Sequence, residues 1–286
     1  MKQIRDFLEL VKFEHSIFAL PFAYIGMLAA ANGWPSWSQF IWITIAMVAA
    51  RTLAMGTNRI ADRALDAINP RTKNRPLVTG AIGIHTAWVG TILSLVVLVF
   101  AAWNLGEMPL KLLPGAILFL VGYSFTKRFT TLSHFILGFT DGLAPVGAWV
   151  AIKGSLFTIQ DLPAWILLAI VTLWIGGFDL LYACQDAEFD REYSLHAIPA
   201  RHGVAYAMRL SVICHLIMMA LLMVFGILLN WGWPYWLALL VISGLLVWEH
   251  RLVHPDDLSR INMAFFNINS YISLALFAGV LGGIFL

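Results

Sequence analysis

The sequence predicts an all-α, polytopic membrane protein: nine spanning helices in one domain over residues 1–286. Three observations predict it. Of the 286 residues, 60% are hydrophobic and 12% charged, where an ordinary soluble domain has about a quarter charged. Apolar runs of about 20 residues, long enough to cross a bilayer, recur along the whole length. The charge is also lopsided. Of the 18 Lys and Arg residues, only Lys111 and Lys153 fall on the side carrying the short turns when the runs are threaded through the membrane. Backbone groups in lipid must be paired within the segment, so the runs are expected to be helices. They do not alternate as β-barrel strands would.

Residues 2–12 read as an interfacial helix with Ile4, Phe7, Leu8 and Val11 on one face. The spans are expected at 15–32, 38–57, 85–103, 110–126, 132–152, 163–181, 208–229, 233–249 and 264–285. Short turns rich in Gly, Pro and Asn join several of them: Asn32 to Pro35, Gly106 to Pro109 and Asn230 to Pro234. The cation asymmetry places the N-terminus and the long charged segments in the cytoplasm. Nine spans then put the uncharged end, FAGVLGGIFL, outside. The chain is therefore expected in the cell (inner) membrane, in contact with lipid. The N-terminus lacks the small-residue cleavage site of a signal peptide. Two cysteines, Cys184 and Cys214, make neither a disulfide framework nor a metal-ligand set. The net charge of +2 says little, because the distribution of charge carries the information; no nucleic-acid partner is expected.

Two charged blocks interrupt this apolar chain. The first, Asn58 to Gly80, reads NRIADRALDAINPRTKNRPLVTG; the second, Asp179 to Arg191, reads DLLYACQDAEFDR. Asp62 and Asp66 in the first are echoed by Asp186 and Asp190 in the second, with the same four-residue step. Duplication and convergence both account for that echo. On a helix, residues four apart share a face. Asn58, Asp62 and Asp66 thus form one polar stripe, and Asp179, Tyr182, Asp186 and Asp190 another. Carboxylates on a stripe repel and need a counter-ion. A hard divalent cation with oxygen ligands is the natural one, and Mg²⁺ shares its shell readily with phosphates. The interspersed Arg and Lys residues would repel a bare cation but suit an anion that arrives with it. Together the two blocks describe a metal–diphosphate site. A lone block of this kind is often just a solvated loop; two, matched in spacing and on one membrane side, argue for a site.

N-x₃-D-x₃-D (Asn58, Asp62, Asp66) followed by Asn74 to Leu77 resembles the first motif of the UbiA superfamily of intramembrane aromatic prenyltransferases. D-x₂-Y-x₃-D-x₃-D (Asp179, Tyr182, Asp186, Asp190) resembles its second, and YSFTKR (Tyr123 to Arg128) its basic loop. KFEHSIFALPFA near the N-terminus resembles the 4-hydroxybenzoate polyprenyltransferase-like subgroup. The resemblance implies Mg²⁺ held by Asn58, Asp62 and Asp66 on one side of a polyprenyl diphosphate and by Asp186 and Asp190 on the other. It places Asp179 and Tyr182 deeper, near the reacting carbon, and Arg75, Lys127 and Arg128, with Lys73 and Arg191, on phosphate oxygens. Arg59 stands where relatives often carry an acid. The reaction implied is alkylation of an aromatic acid such as 4-hydroxybenzoate on a ubiquinone or menaquinone route; a dihydroxynaphthoate is the alternative acceptor.

That chemistry asks for a dry central cavity, because water would capture an allylic cation. Tyr182 and Tyr123 are candidates to face the cation. Each buried CH₂ of an isoprenoid favours lipid by about 0.8 kcal/mol, so the cavity is expected to open to the bilayer. Asp141 lies inside a span, where a carboxylate is costly, and is expected to line the pocket or to make a structural hydrogen bond. Gly138, Gly142 and Gly147 permit close helix approach beside it. His196 and His202 are weaker candidates for the acid or a phosphate, and Asn267 and Asn269 for the cavity wall. His85 and His134 read as interfacial, and Glu107 and Asp161 as solvated. A divalent-cation transporter is the main rival outside enzymes. Its site would sit near the midplane on broken helices, whereas the charge here lies at one surface.

Overall fold

The computed structural model describes residues 2–11 and 16–286 and is helical throughout. Lys12 to His15, part of the KFEHSIFALPFA stretch, lie outside the described residues, as does the side chain of Ile4. The first helices are α1 (Lys2–Leu10), α2 (Ser16–Ala31) and α3 (Trp37–Ala61), then the short α4 (Arg63–Ile68) and α5 (Pro76–Thr79). They are followed by α6 (Ile84–Leu105), α7 (Glu107–Thr126), α8 (Ser133–Lys153) and α9 (Leu162–Ala183). After the short α10 (Ala187–Glu192) and α11 (Ile198–His202) come α12 (Val204–Leu228), α13 (Trp233–Leu252) and α14 (Asn269–Phe285), the last entered through a π-helical turn over Met263–Ile268.

Among the described residues, eight helices are long and apolar enough to cross a membrane, and the apolar α2 is a shorter ninth. Each expected span finds its helix. The ends follow ordinary backbone chemistry: Ser36 accepts from the Gln39 amide at 3.2 Å and Gln39 Oε1 returns the bond to the Ser36 amide, which starts α3 just after Pro35.

Helix α9 is the hub. Its apolar window is 67% buried, against 17% for the peripheral α7. Trp174, Leu167 and Ile170 of α9 pack in one core with Trp149 of α8 and Phe225 of α12. Hydrophobicity alone does not hold helices together in lipid; close packing does. A Cβ on Gly138 would stand 2.3 Å from the Thr172 carbonyl oxygen, and one on Gly142 would stand 2.8 Å from Leu168 Cδ1, so glycines set the α8–α9 approach. Gly147, expected to do the same, has open space around it and lines a cavity instead.

Two further expectations are corrected. Helix α1 is not merely interfacial: Leu10 and Val11 are buried, Phe7 packs against the Gly90 backbone of α6, and Leu8 is the exposed one. Asp161 is not solvated. It is buried and accepts from Trp149 Nε1 at 2.9 Å, from Ser155 Oγ at 3.0 Å and from the amide and hydroxyl of Thr158, closing the α8–α9 turn. Glu107, by contrast, is exposed beside Lys111 at 2.7 Å, and His85 is exposed as expected.

Candidate active site

Both blocks lie where a long helix breaks. Asp62 ends α3 at φ −91°, ψ 2°, and Asp186 precedes α10 at φ −100°, ψ 7°. This is the sparsely allowed bridge region, common at active sites. In the first block the stripe survives the break, because the Asp62 amide still reaches the Asn58 carbonyl (2.9 Å) and the Asp66 amide the Asp62 carbonyl (2.8 Å). The echo in the sequence is thus an echo in backbone shape.

The blocks meet. Asn69 Nδ2 donates to Asp186 Oδ1 at 3.2 Å, and Arg71 grips both Asp186 oxygens, through Nε at 3.0 Å and through Nη2. Arg71 Nη1 also donates to the Tyr182 hydroxyl at 3.1 Å, and its guanidinium lies 5.3 Å over that ring. Burial works against the Arg71 charge, but the hydrogen bond and charge of Asp186 outweigh it and raise the pKa above the usual arginine value. Asp66 accepts from Arg75 at 2.5 Å. Asp62 accepts from Arg128 at 2.9 Å and stands 3.6 Å from Lys127 Nζ. Asp62, Asp66 and Asp190 are all buried. These groups enclose a polar pocket of about 210 Å³ walled by both blocks and by the Lys127 loop.

Behind it lies a cavity of about 910 Å³, mostly apolar, walled by α2, α3, α7, α8 and α9. Pocket and cavity share one rim: Asn58, Arg71, Arg75, Tyr123, Asp179 and Tyr182 line both. The Tyr182 ring stacks on Phe265 with centroids 4.0 Å apart, which fixes one face of the rim.

Sequence reading missed two residues here. His134 is a buried support for Asp179. The Ile198 amide donates to His134 Nε2 (3.2 Å), so that nitrogen carries the lone pair and Nδ1–H donates to Asp179 Oδ2 (2.7 Å). Nothing local in the sequence marks this pairing. The other is Arg51, which lines the apolar cavity with Asp141 and Tyr123. Its buried Nε has no hydrogen-bond partner among the described residues. A cation inside an apolar span was its signal.

Other residues sit elsewhere than expected. Lys73 is exposed and lines neither space. Arg191 is exposed and turned away, its Nε donating to the Ala200 carbonyl at 3.3 Å. His202 is exposed and packs on Tyr206, and His196 accepts from Arg201 at 3.0 Å. Asn267 is exposed, whereas Asn269 is buried and donates to Glu249 at 2.8 Å; the cavity instead receives Asn262, Phe265 and Phe266 from this region. Arg59 points at α1, with Nε on the Leu10 carbonyl (3.2 Å) and Nη1 on Asn58 Oδ1 (3.3 Å).

Residues 19–271 match the UbiA prenyltransferase family. The chain belongs to that family. A 4-hydroxybenzoate octaprenyltransferase of Pseudoalteromonas translucida is 32% identical over 260 residues, covering 90% of this chain and 86% of that protein. One of the same name from Chromohalobacter salexigens is 29% identical over 98% of this chain and 93% of its own length. The apo structure of a UbiA homolog from Aeropyrum pernix K1 superposes with a TM-score of 0.85 at 30% identity, covering 93% of this chain and 97% of that one. A UbiA homolog from Archaeoglobus fulgidus, solved with DMAPP and Mg²⁺, shares the fold with a TM-score of 0.65 at 18% identity, over 95% and 99% of the two chains. UbiA membership sets the transporter alternative aside.

Proposed function

We propose that this UbiA-family enzyme transfers a polyprenyl group from an allylic polyprenyl diphosphate to the ring of 4-hydroxybenzoate, with Mg²⁺, at the cytoplasmic face of the membrane. One observation carries the reading: a pocket of carboxylates and cations opens, across a shared rim, into a large apolar cavity. The first suits a diphosphate and the second an isoprenoid tail.

The donor set fits Mg²⁺. Asp62, Asp66, Asp186 and Asp190 offer hard oxygen atoms around one pocket, and three of them already accept charged hydrogen bonds from Arg or Lys, so positive charge is what these oxygens are placed to hold. When bound, Mg²⁺ would neutralise the charge that develops on the departing diphosphate. The protein's own groups do the rest. Arg71, Arg75, Lys127 and Arg128 sit beside the carboxylates, where preorganised cations can take up phosphate oxygens. At the rim, Tyr182 and Tyr123 stand where an allylic carbon would leave the pocket; the Tyr182 ring is taken up by Phe265 and Arg71, so the Tyr123 ring is the one to lend its face to the positive charge. The cavity wall keeps water away from that carbon. Arg51, whose buried Nε has no hydrogen-bond partner among the described residues, suits the carboxylate of the aromatic acid. Asp179, held by His134, is placed to accept the proton that the alkylated ring releases.

The test is an assay in liposomes with Mg²⁺. It offers 4-hydroxybenzoate, dihydroxynaphthoates and geranylgeranylglyceryl phosphate against prenyl diphosphates of several lengths. Turnover with 4-hydroxybenzoate, stopped by a chelator and restored by Mg²⁺, is the expected result. Preference for a dihydroxynaphthoate would move the acceptor assignment, and preference for the glyceryl phosphate would remove it. Orientation is read separately: a cysteine at Lys111 should react with an impermeant thiol reagent on intact cells, and one at Lys73 only after permeabilisation.

A further inference from the structure

We propose that a second metal site lies inside the helix bundle, where His215 of α12 meets Glu249 and His250 of α13, and that it takes a divalent ion of the zinc type. The ligand atoms of these three residues all lie within 4.8 Å of one another. His215 Nδ1 stands 2.9 Å from His250 Nε2 and 3.8 Å from Glu249 Oε2. Ligands held about 2.1 Å from a tetrahedral zinc ion stand about 3.4 Å apart. The two separations bracket that edge.

The surrounding contacts orient the ligands as a metal requires. His215 Nε2 donates to the Trp174 carbonyl at 3.3 Å. That bond uses the ring's proton and leaves the Nδ1 lone pair facing the cluster, which is the tautomer a ligand needs. The imidazole reaches Trp174 only because position 177 is glycine, where a Cβ would stand 2.5 Å from His215 Nε2. Glu249 Oε1 is held by Asn269 Nδ2 at 2.8 Å. Its other oxygen, Oε2, is buried and has no hydrogen-bond partner among the described residues. A buried carboxylate oxygen left bare in a membrane protein is costly, and marks a site by default. Without an ion, the His215 Nδ1 lone pair accepts from His250 Nε2–H at 2.9 Å; a cation at the centre would displace that proton and take Oε2 and both imidazole nitrogens together.

Two imidazoles and a carboxylate favour zinc over magnesium, which prefers oxygen donors alone. The site is thus chemically distinct from the acidic pocket. Three protein ligands leave a fourth position for water. The ion would clamp α12 to α13, with α9 and α14 bracing it through Trp174 and Asn269.

The experiment uses the full chain, purified in detergent through a tag free of histidine and stripped with a chelator. It is loaded with Zn²⁺ or Co²⁺ alone, dialysed, and its metal counted by mass spectrometry. We expect one ion per chain, strong visible absorption in the Co²⁺ form, and a higher unfolding midpoint with Zn²⁺ than without. His215→Ala and His250→Ala should weaken retention at least about tenfold, while Asp62→Ala, in the other pocket, should keep the ion. Where an alanine variant does not fold, Glu249→Gln, which preserves shape and the Asn269 bond, is read instead and should lose the Zn²⁺-dependent midpoint shift. The proposal is overturned if folded wild-type protein retains no stoichiometric ion, or if it unfolds at one temperature with and without Zn²⁺. None of these readouts depends on turnover, so they stand apart from the prenyl-transfer assay.

Discussion

The two acidic blocks look alike in sequence and are built differently. Each places its first paired aspartate at a helix break and its second four residues on. The first block, however, supplies both signs of charge to the pocket: Asp62 and Asp66, and with them Arg71 and Arg75. The second supplies only acids, because its one arginine, Arg191, is turned to the Ala200 carbonyl. Asp186 is therefore held by one cation, Arg71, and an amide, Asn69, borrowed from the first block, and Asp179 by a histidine borrowed from α8. The difference teaches that a repeated motif repeats the donor geometry and not the charge balance, which is settled across the pocket.

The largest expected effects test what the blocks share. Asp62→Ala and Asp186→Ala should each cut kcat at least about 100-fold, the scale of losing one preorganised electrostatic contact, in protein that still inserts and elutes as a single species. Wild-type-like turnover in either variant would break the equivalence of the two walls. Next comes the borrowed cation. Arg71→Ala removes a charge-assisted bridge worth about 1.5–3 kcal/mol, and so should lower kcat/KM by about 10- to 100-fold. Combined with Asp186→Ala the loss should be less than the sum, since both delete one contact. Full additivity would separate Arg71 from the second block.

A smaller effect is expected at the borrowed histidine. His134→Ala should lower kcat by about tenfold through a misplaced Asp179 and leave the KM for the diphosphate nearly unchanged. A matching rise in that KM would instead put His134 on the phosphate side. The smallest effects sharpen the asymmetry itself. Lys73→Ala and Arg191→Ala face solvent and should stay within about twofold of wild type, as surface charges do. A large loss at Arg191 would restore symmetry between the blocks.

The spans were legible because a bilayer imposes length and composition on each helix separately, and the acidic stripes because four-residue spacing is local. Even the convergence of the blocks could be read, from shared membrane side and matched spacing. The cross-links were not. His134 meets Asp179 and Ile198, and His215 meets His250 and Trp174, only through tertiary packing. Within its own segment each looks like an ordinary histidine near an apolar run. Arg191 and Asn267 are misplaced by local backbone shape: Arg191 adjoins the second motif but is turned outward on the short helix α10, and Asn267, expected on the cavity wall, is exposed on the π-helical turn.

One backbone bond has a wider consequence. The His196 amide donates to the Lys127 carbonyl at 2.7 Å, which ties the turn after α10 to the loop after α7. Two segments that look independent along the chain are thus joined at the wall of the polar pocket, which Lys127 and Ala197 both line. A probe bound to either segment therefore bears on the other, although Lys127 and His196 stand far apart in the chain.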